Sequence, residues 1–263
     1  MADAIALDRE LGWTALRPCA LYLDVDGTLL DIAPAPDAVQ VSPALTAALG
    51  AVAQGLDGAL ALVSGRTLAE LDRLFRPLRV AAVGIHGAEV RTAGDPPRTA
   101  DYLARQLDGI RAELAARVAE WPGTFVEDKG LALALHHRAS RVDERVIGRA
   151  MAALADLAGP EFVLLHGKRV FELKPAALSK ATGIATLHGT AKFAGRTPVC
   201  IGDDLTDESA FEYANLAGGL SIRVGAAAGA DGTAASAARR RVDSPADVRA
   251  WLAGLAAGVE SAS

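Results

Sequence analysis

The sequence predicts an α/β protein: a parallel sheet covered by helices, with a smaller α+β domain set into it. Three observations lead there. Short apolar runs each end in small or acidic residues, helical patterns separate them, and the pattern changes over the middle third of the chain.

The runs are Leu21-Tyr22-Leu23 before Asp24, Leu60-Ala61-Leu62-Val63 before Ser64, and Pro198-Val199-Cys200-Ile201 before Gly202-Asp203-Asp204. Apolar throughout and this short, each reads as a strand buried on both faces, as parallel sheets require. Helical patterns over 42–53 and 68–75 lie between them. Val80-Ala81-Ala82-Val83 then enters the glycine-bearing turn Gly84-Ile85-His86-Gly87-Ala88-Glu89. Ligands of such Rossmann-like sheets bind beyond the carboxyl ends of the strands, where these polar residues collect.

After the cluster Gly94-Asp95-Pro96-Pro97 the pattern becomes a helix over 102–120, strands over 125–128 and 131–138, a helix over 142–157, and strands near Phe162 and Val170. Two successive helix-strand-strand units make a small antiparallel sheet with helices on one face. Core-type sequence resumes after Ser179, through the run to Asp203 and that over 220–224. The expected division is a core of 1–100 and 180–263 with an inserted domain of 101–179. The Ala/Gly-rich stretch 225–238 reads as a loop entering a helix, since no phosphate-cradling glycine motif follows a strand there.

Composition excludes several classes. Of 263 residues, 51% are hydrophobic and 22% charged, enough for a hydrophobic core and too ordered a mixture for a disordered chain. The formal net charge of −5 gives no footprint for nucleic acid, and Arg239-Arg240-Arg241 is too short to change that. Cys19 and Cys200 sit in apolar runs and are expected as buried reduced thiols, and the five histidines show no zinc spacing. No leader pattern and no membrane-spanning run are visible, so the expected location is cytoplasmic.

Asp24-Val25-Asp26-Gly27-Thr28 is the strongest chemical signal. If the strand persists through it, Asp24 and Asp26 fall on one side and Gly27 permits a sharp exit. Crowded carboxylates repel, so such a pair is held by a hard cation or shares a proton. Asp203 and Asp204 bring further oxygen ligands of the kind magnesium takes. Taken singly, Asp24 or Asp203 reads equally well as a strand-end turn former; with Ser64 and Lys180 the combination points to a site. In the inserted domain, period two places Glu127 with Lys129, His136 with Arg138, and Glu172 with Lys174 on shared faces. Periodicity alone favours a solvated face carrying cross-strand ion pairs there.

These motifs carry a resemblance. Asp24-Val25-Asp26-Gly27-Thr28, Ser64-Gly65-Arg66, Lys180, and Gly202-Asp203-Asp204 with Asp207 resemble, in order and spacing, the four motifs of the haloacid dehalogenase superfamily. Gly84-Ile85-His86-Gly87, Glu127-Asp128-Lys129-Gly130, His136-His137-Arg138, Glu172-Leu173-Lys174-Pro175 and the run from Gly202 to Glu208 are similar to the trehalose-6-phosphate phosphatase family. The likeness extends over 21–224. Ala181 stands where glycine is common and Val25 where Tyr or Phe is frequent; neither change removes a reacting group.

The resemblance implies a haloacid dehalogenase core with a cap domain, and a magnesium-dependent phosphatase acting on trehalose 6-phosphate. Asp24 is then the nucleophile and Asp26 the general acid and base, expected to carry the raised proton affinity. Mg²⁺ is held by Asp24, the main-chain carbonyl of Asp26, and Asp203. Ser64, Gly65 and Lys180 grip the phosphate. Glu127, Lys129 and Glu172 hold sugar hydroxyls, with His136, Arg138, Arg66 and His86 as further substrate contacts. Asp204 and Asp207 order water or Lys180, although Asp207 reads equally well as a helix N-terminal acid, and His86 as a structural hydrogen-bonding group. A trehalose-6-phosphate synthase is a possible partner. Competing expectations are another sugar phosphatase of the superfamily, a phosphomutase, and a non-catalytic sugar-phosphate-binding regulator of a synthase.

Overall fold

The computed structural model describes residues 3–4, 7–32, 39–93, 96, 98–99, 101–167, 169–225 and 236–260. Gly94, Asp95 and Pro97 of the expected boundary, and 226–235 of the Ala/Gly-rich stretch, lie outside them. The chain forms two compact units, residues 1–98 with 180–263, and residues 99–179.

In the first unit, β1 (Asp3–Ala4) and the short helices α1 (Leu7–Glu10) and α2 (Trp13–Leu16) precede β2 (Cys19–Leu23). Then come α3 (Pro43–Gly55), β3 (Leu60–Val63), α4 (Leu68–Leu74), β4 (Ala81–Gly84) and β5 (Glu89–Arg91), with β6 (Arg98–Thr99) at the boundary between the units. The second unit contains α5 (Asp108–Glu120), β7 (Phe125–Asp128), β8 (Leu133–His136), α6 (Glu144–Ala158), β9 (Phe162–Gly167) and β10 (Val170–Pro175). The first unit resumes with α7 (Lys180–His188), β11 (Thr197–Gly202), α8 (Glu208–Leu216), β12 (Leu220–Val224), β13 (Arg240–Val242) and α9 (Pro245–Glu260).

The larger sheet runs β1-β13-β12-β11-β2-β3-β4-β5-β6. It is parallel from β1 to β4 and turns antiparallel at β5. β2 and β3 are buried along their whole length, which explains their unbroken apolar sequences. Helix starts are locally encoded. Ser42 accepts from the Leu45 amide ahead of Pro43 at the first turn of α3, and Thr67 and Glu70 form a reciprocal capping box on α4. One expectation fails: after 225–238 the chain enters strand β13, not a helix, and α9 begins only at Pro245. The two arginines of β13 are accommodated by ion pairs, Arg240 to Glu10 at 3.3 Å and Arg241 to Asp243 at 2.7 Å.

The second unit holds a sheet in the order β7-β8-β10-β9, antiparallel throughout. Leu133, Leu135 and Leu173 are buried on one face; Glu127, Ala134 and Glu172 form a row on the other. Cys19 and Cys200 are free and buried.

Candidate active site

The strands β2, β3, β4 and β11 deliver the polar residues of the first unit at their carboxyl ends. β2 stops at Leu23, and the Asp24 amide continues the ladder by donating to Ile201 O at 2.9 Å. Beyond it the backbone turns, with Gly27 at φ +90°. Only glycine serves there: a Cβ would run into the Asp203 carboxylate. The two chain segments thereby approach closely enough that single carboxylate oxygens of Asp24, Asp203 and Asp207 lie within 4.8 Å of one another.

Lys180, the first residue of α7, sits among these acids. Its Nζ donates to Asp24 Oδ1 and to Asp207 Oδ1, both at 2.6 Å. Asp207 Oδ2 accepts from the backbone amides of Asp203 at 3.1 Å and Asp204 at 3.2 Å. Asp207 is therefore both the acid ahead of α8 and the anchor of Lys180. Gly202 permits this, because a Cβ there would overlap the Asp207 side chain. Asp204 caps the turn at 205–207, its Oδ1 accepting from the Thr206 amide at 2.6 Å and hydroxyl at 2.7 Å.

Burial, with the charges of Asp207 and Asp203, pushes the Asp24 carboxyl well above the usual range against the pull of Lys180. Burial, then Asp207 and Asp204, pushes Asp203 up to about 7. Asp207 is raised too, chiefly by burial, although Lys180 opposes this. Burial works against the Lys180 ammonium, but Asp207 and Asp24 outweigh it and hold the lysine above its ordinary value. Three crowded acids share one buried cation. An all-oxygen donor set short of positive charge fits a hard divalent ion.

Asp26 departs from the expected arrangement. The strand ends before Asp24, so alternation no longer governs the carboxylates, and Asp26 turns to Arg66: Nε to Oδ2 at 2.6 Å and Nη2 to Oδ1 at 2.7 Å. Ser64 is buried, and its Oγ accepts from the Arg66 amide at 3.1 Å, which leaves its hydroxyl proton to be given elsewhere. Ile85 (φ +44°), His86 (φ +50°) and Gly87 (φ +106°) form a tight left-handed turn after β4. Its amides tie it to the neighbouring loop, Ile85 to Arg66 O at 2.9 Å and His86 to Ser64 O at 3.1 Å. The His86 ring packs against Gly65, whose missing side chain leaves the room.

In the second unit, register brings together what the sequence placed only on separate strands. Glu127 pairs with Ala134, and Ala134 with Glu172. Lys129, just past β7, reaches Glu172 at 3.0 Å, and His136 Nε2 lies 2.7 Å from Glu127 Oε2. Burial opposes ionisation of Glu127, yet the His136 hydrogen bond and the Lys129 charge hold its carboxyl below the usual range. Arg138 lies in the turn after β8, exposed, outside the strand expected to carry it. Lys174 turns its ammonium to the carbonyls of Pro175 and Leu178. Phe125, unremarked in the sequence, stacks on His136.

The trehalose-phosphatase family profile matches residues 22–246. The chain is 44% identical over 214 residues to a Sinorhizobium fredii protein named "Probable trehalose-phosphate phosphatase", covering 81% of this chain and 80% of that one. It is 40% identical over 236 residues to the trehalose-6-phosphate phosphatase of Escherichia coli K12, covering 89% and 85%. A crystal structure of a trehalose-6-phosphate phosphatase related protein superposes with a TM-score of 0.75 at 25% identity, over 92% of this chain and 99% of that one. The α/β fold is of haloacid dehalogenase type.

Proposed function

From a chain that belongs to the trehalose-phosphatase family, we propose a phosphoric monoester hydrolase that converts trehalose 6-phosphate to trehalose and inorganic phosphate through a phosphorylated Asp24. The supporting observation is the Asp24-Lys180-Asp207 chain: a buried carboxylate at a strand end, held by a lysine that is itself anchored from behind.

Asp24 attacks phosphorus, forming an Oδ–P bond as the P–O bond to the sugar breaks, and Asp26 gives its proton to the departing sugar oxygen. Asp26 then takes a proton from water. The water oxygen attacks phosphorus, the Oδ–P bond breaks, and phosphate leaves with Asp24 restored. Both oxygens of Asp26 accept from Arg66 at rest, so proton delivery requires one of those bonds to open and the released oxygen to take up a proton from solvent before the sugar oxygen departs. An arriving phosphate competes for Arg66 and opens it. Ser64 donates its free hydroxyl proton, and Lys180 an N–H, to the phosphoryl oxygens as their charge develops.

Asp24, Asp203 and the main-chain carbonyl of Asp26 would hold a divalent ion, for which magnesium is the hard-donor choice. When bound, the ion supplies positive charge that lets an anionic phosphate approach an anionic nucleophile. Glu127, Lys129 and Glu172, with His136 and Arg138, bind the sugar hydroxyls on the cap sheet. Glu127 and Glu172 accept hydrogen bonds, and Lys129 donates.

Phosphate release from a panel of sugar phosphates, with and without a metal chelator, tests this. Turnover concentrated on trehalose 6-phosphate and lost on chelation is expected. Equal turnover of monosaccharide phosphates would make the protein a general sugar phosphatase, and no turnover of any a binding module.

A further inference from the structure

The Glu127–Glu172 face of the cap sheet carries an exposed phenylalanine near its acids and lysine, with Val163 and Leu165 of β9 on the same face. Phe125 is the first residue of β7, an edge strand, and 49% of it is exposed. A lone exposed phenylalanine says little, since such residues are common. This one is held. Phe125 and His136 are cross-strand partners with ring centroids 4.5 Å apart and planes within 9° of parallel. The His136 ring is fixed in turn by Glu127, two residues along from Phe125 on the same face. Aromatic wall, carboxylate and the Lys129-Glu172 pair thus occupy one surface.

That combination has a specific ligand chemistry. A hexose presents hydroxyls around its rim and C–H bonds across its ring face, so it pairs carboxylates at the rim with an aromatic side chain against the face. Resting on the function proposed above, we infer that Phe125 is a specificity-determining residue that packs against a hexose ring of the substrate, beside the hydroxyl-binding Glu127. His136 serves as the backing that keeps the phenyl ring upright.

Steady-state kinetics of Phe125→Ala and Phe125→Tyr test it, with trehalose 6-phosphate and with acetyl phosphate, which has no ring to stack. Loss of the stacking surface is expected to raise KM for the disaccharide phosphate about tenfold, with kcat little changed. Acetyl phosphate turnover should be unaffected, and Phe125→Tyr, which keeps the ring, should stay near wild type. An unmoved KM in Phe125→Ala, a rise that Phe125→Tyr shares, or an equal loss with acetyl phosphate would overturn the inference. Failure of the wild-type protein on trehalose 6-phosphate would overturn the proposed function and this inference with it; wild-type turnover with an unmoved KM would overturn the inference alone.

Discussion

Arg66 grips Asp26 at both carboxylate oxygens, at 2.6 and 2.7 Å, while its own backbone is fixed by Ser64 Oγ and by the Ile85 amide. The residue proposed to move a proton is thereby tied to the loop proposed to hold phosphate. Lysine cannot reproduce that planar fork. Arg66→Lys is therefore expected to lower kcat on trehalose 6-phosphate about 100-fold, the scale of a general acid-base contribution. The loss on p-nitrophenyl phosphate should be much smaller, because its leaving group needs no proton. Equal losses on both substrates would remove Arg66 from any role in leaving-group protonation.

Gly27→Ala tests the closeness of the two acidic segments. The added Cβ meets the Asp203 carboxylate at a backbone angle that L side chains rarely adopt. Displacement of a reacting group by about 1 Å costs on the order of 100-fold, so kcat should fall at least that far, with a lower Tm. A variant with wild-type kcat would show that Asp203 need not stay against the Asp24 segment.

The parts of this site that were legible in the sequence are those set by chain-local rules. β2, β3 and β11 from Pro198 onward announce themselves because burial on both faces favours apolar residues, and the polar residues at their ends follow. Asp26 was not legible in the same way: alternation carries a prediction only while the strand lasts, and β2 ends at Leu23. The links from Lys129 to Glu172 and from His136 to Glu127 depend on register between strands, which no single segment encodes. β13 escaped because Arg240 and Arg241 look like solvated charge until Glu10 and Asp243 are seen beside them. Phe125 escaped because one exposed aromatic has no periodic signature.

In the second unit, Glu172→Ala removes a proposed hydroxyl acceptor and leaves Lys129 without that carboxylate. KM for trehalose 6-phosphate is expected to rise tenfold or more, on the scale of a site built to hydrogen-bond its substrate. Turnover of p-nitrophenyl phosphate should stay close to wild type. Parallel losses would assign Glu172 to the stability of the sheet.

The cap also carries a pH dependence. His137 is buried with neither ring nitrogen hydrogen-bonded, its ring against Phe171, which stacks on its other neighbour His166. Burial holds the imidazole below its usual value of 6.5; Glu144 opposes this, while Arg169, His166 and His136 reinforce it. The unfolded chain then binds more protons at this position, so the stability contribution is intact above pH 6.5 and is lost as pH falls below it. Thermal unfolding of His137→Leu should show a shallower fall in Tm between about pH 8 and pH 5 than the wild type. An identical slope would mean that His137 takes up its proton without disturbing the fold.

The most direct test concerns Asp24 itself. Wild-type protein quenched during turnover of trehalose 6-phosphate, treated with borohydride to reduce any acyl phosphate, and mapped by peptide mass spectrometry should carry the reduced residue at position 24, while Asp24→Asn releases no phosphate. Continued turnover with Asp24 unmodified, or modification at a different acid, would contradict the nucleophilic role on which the mechanism is built.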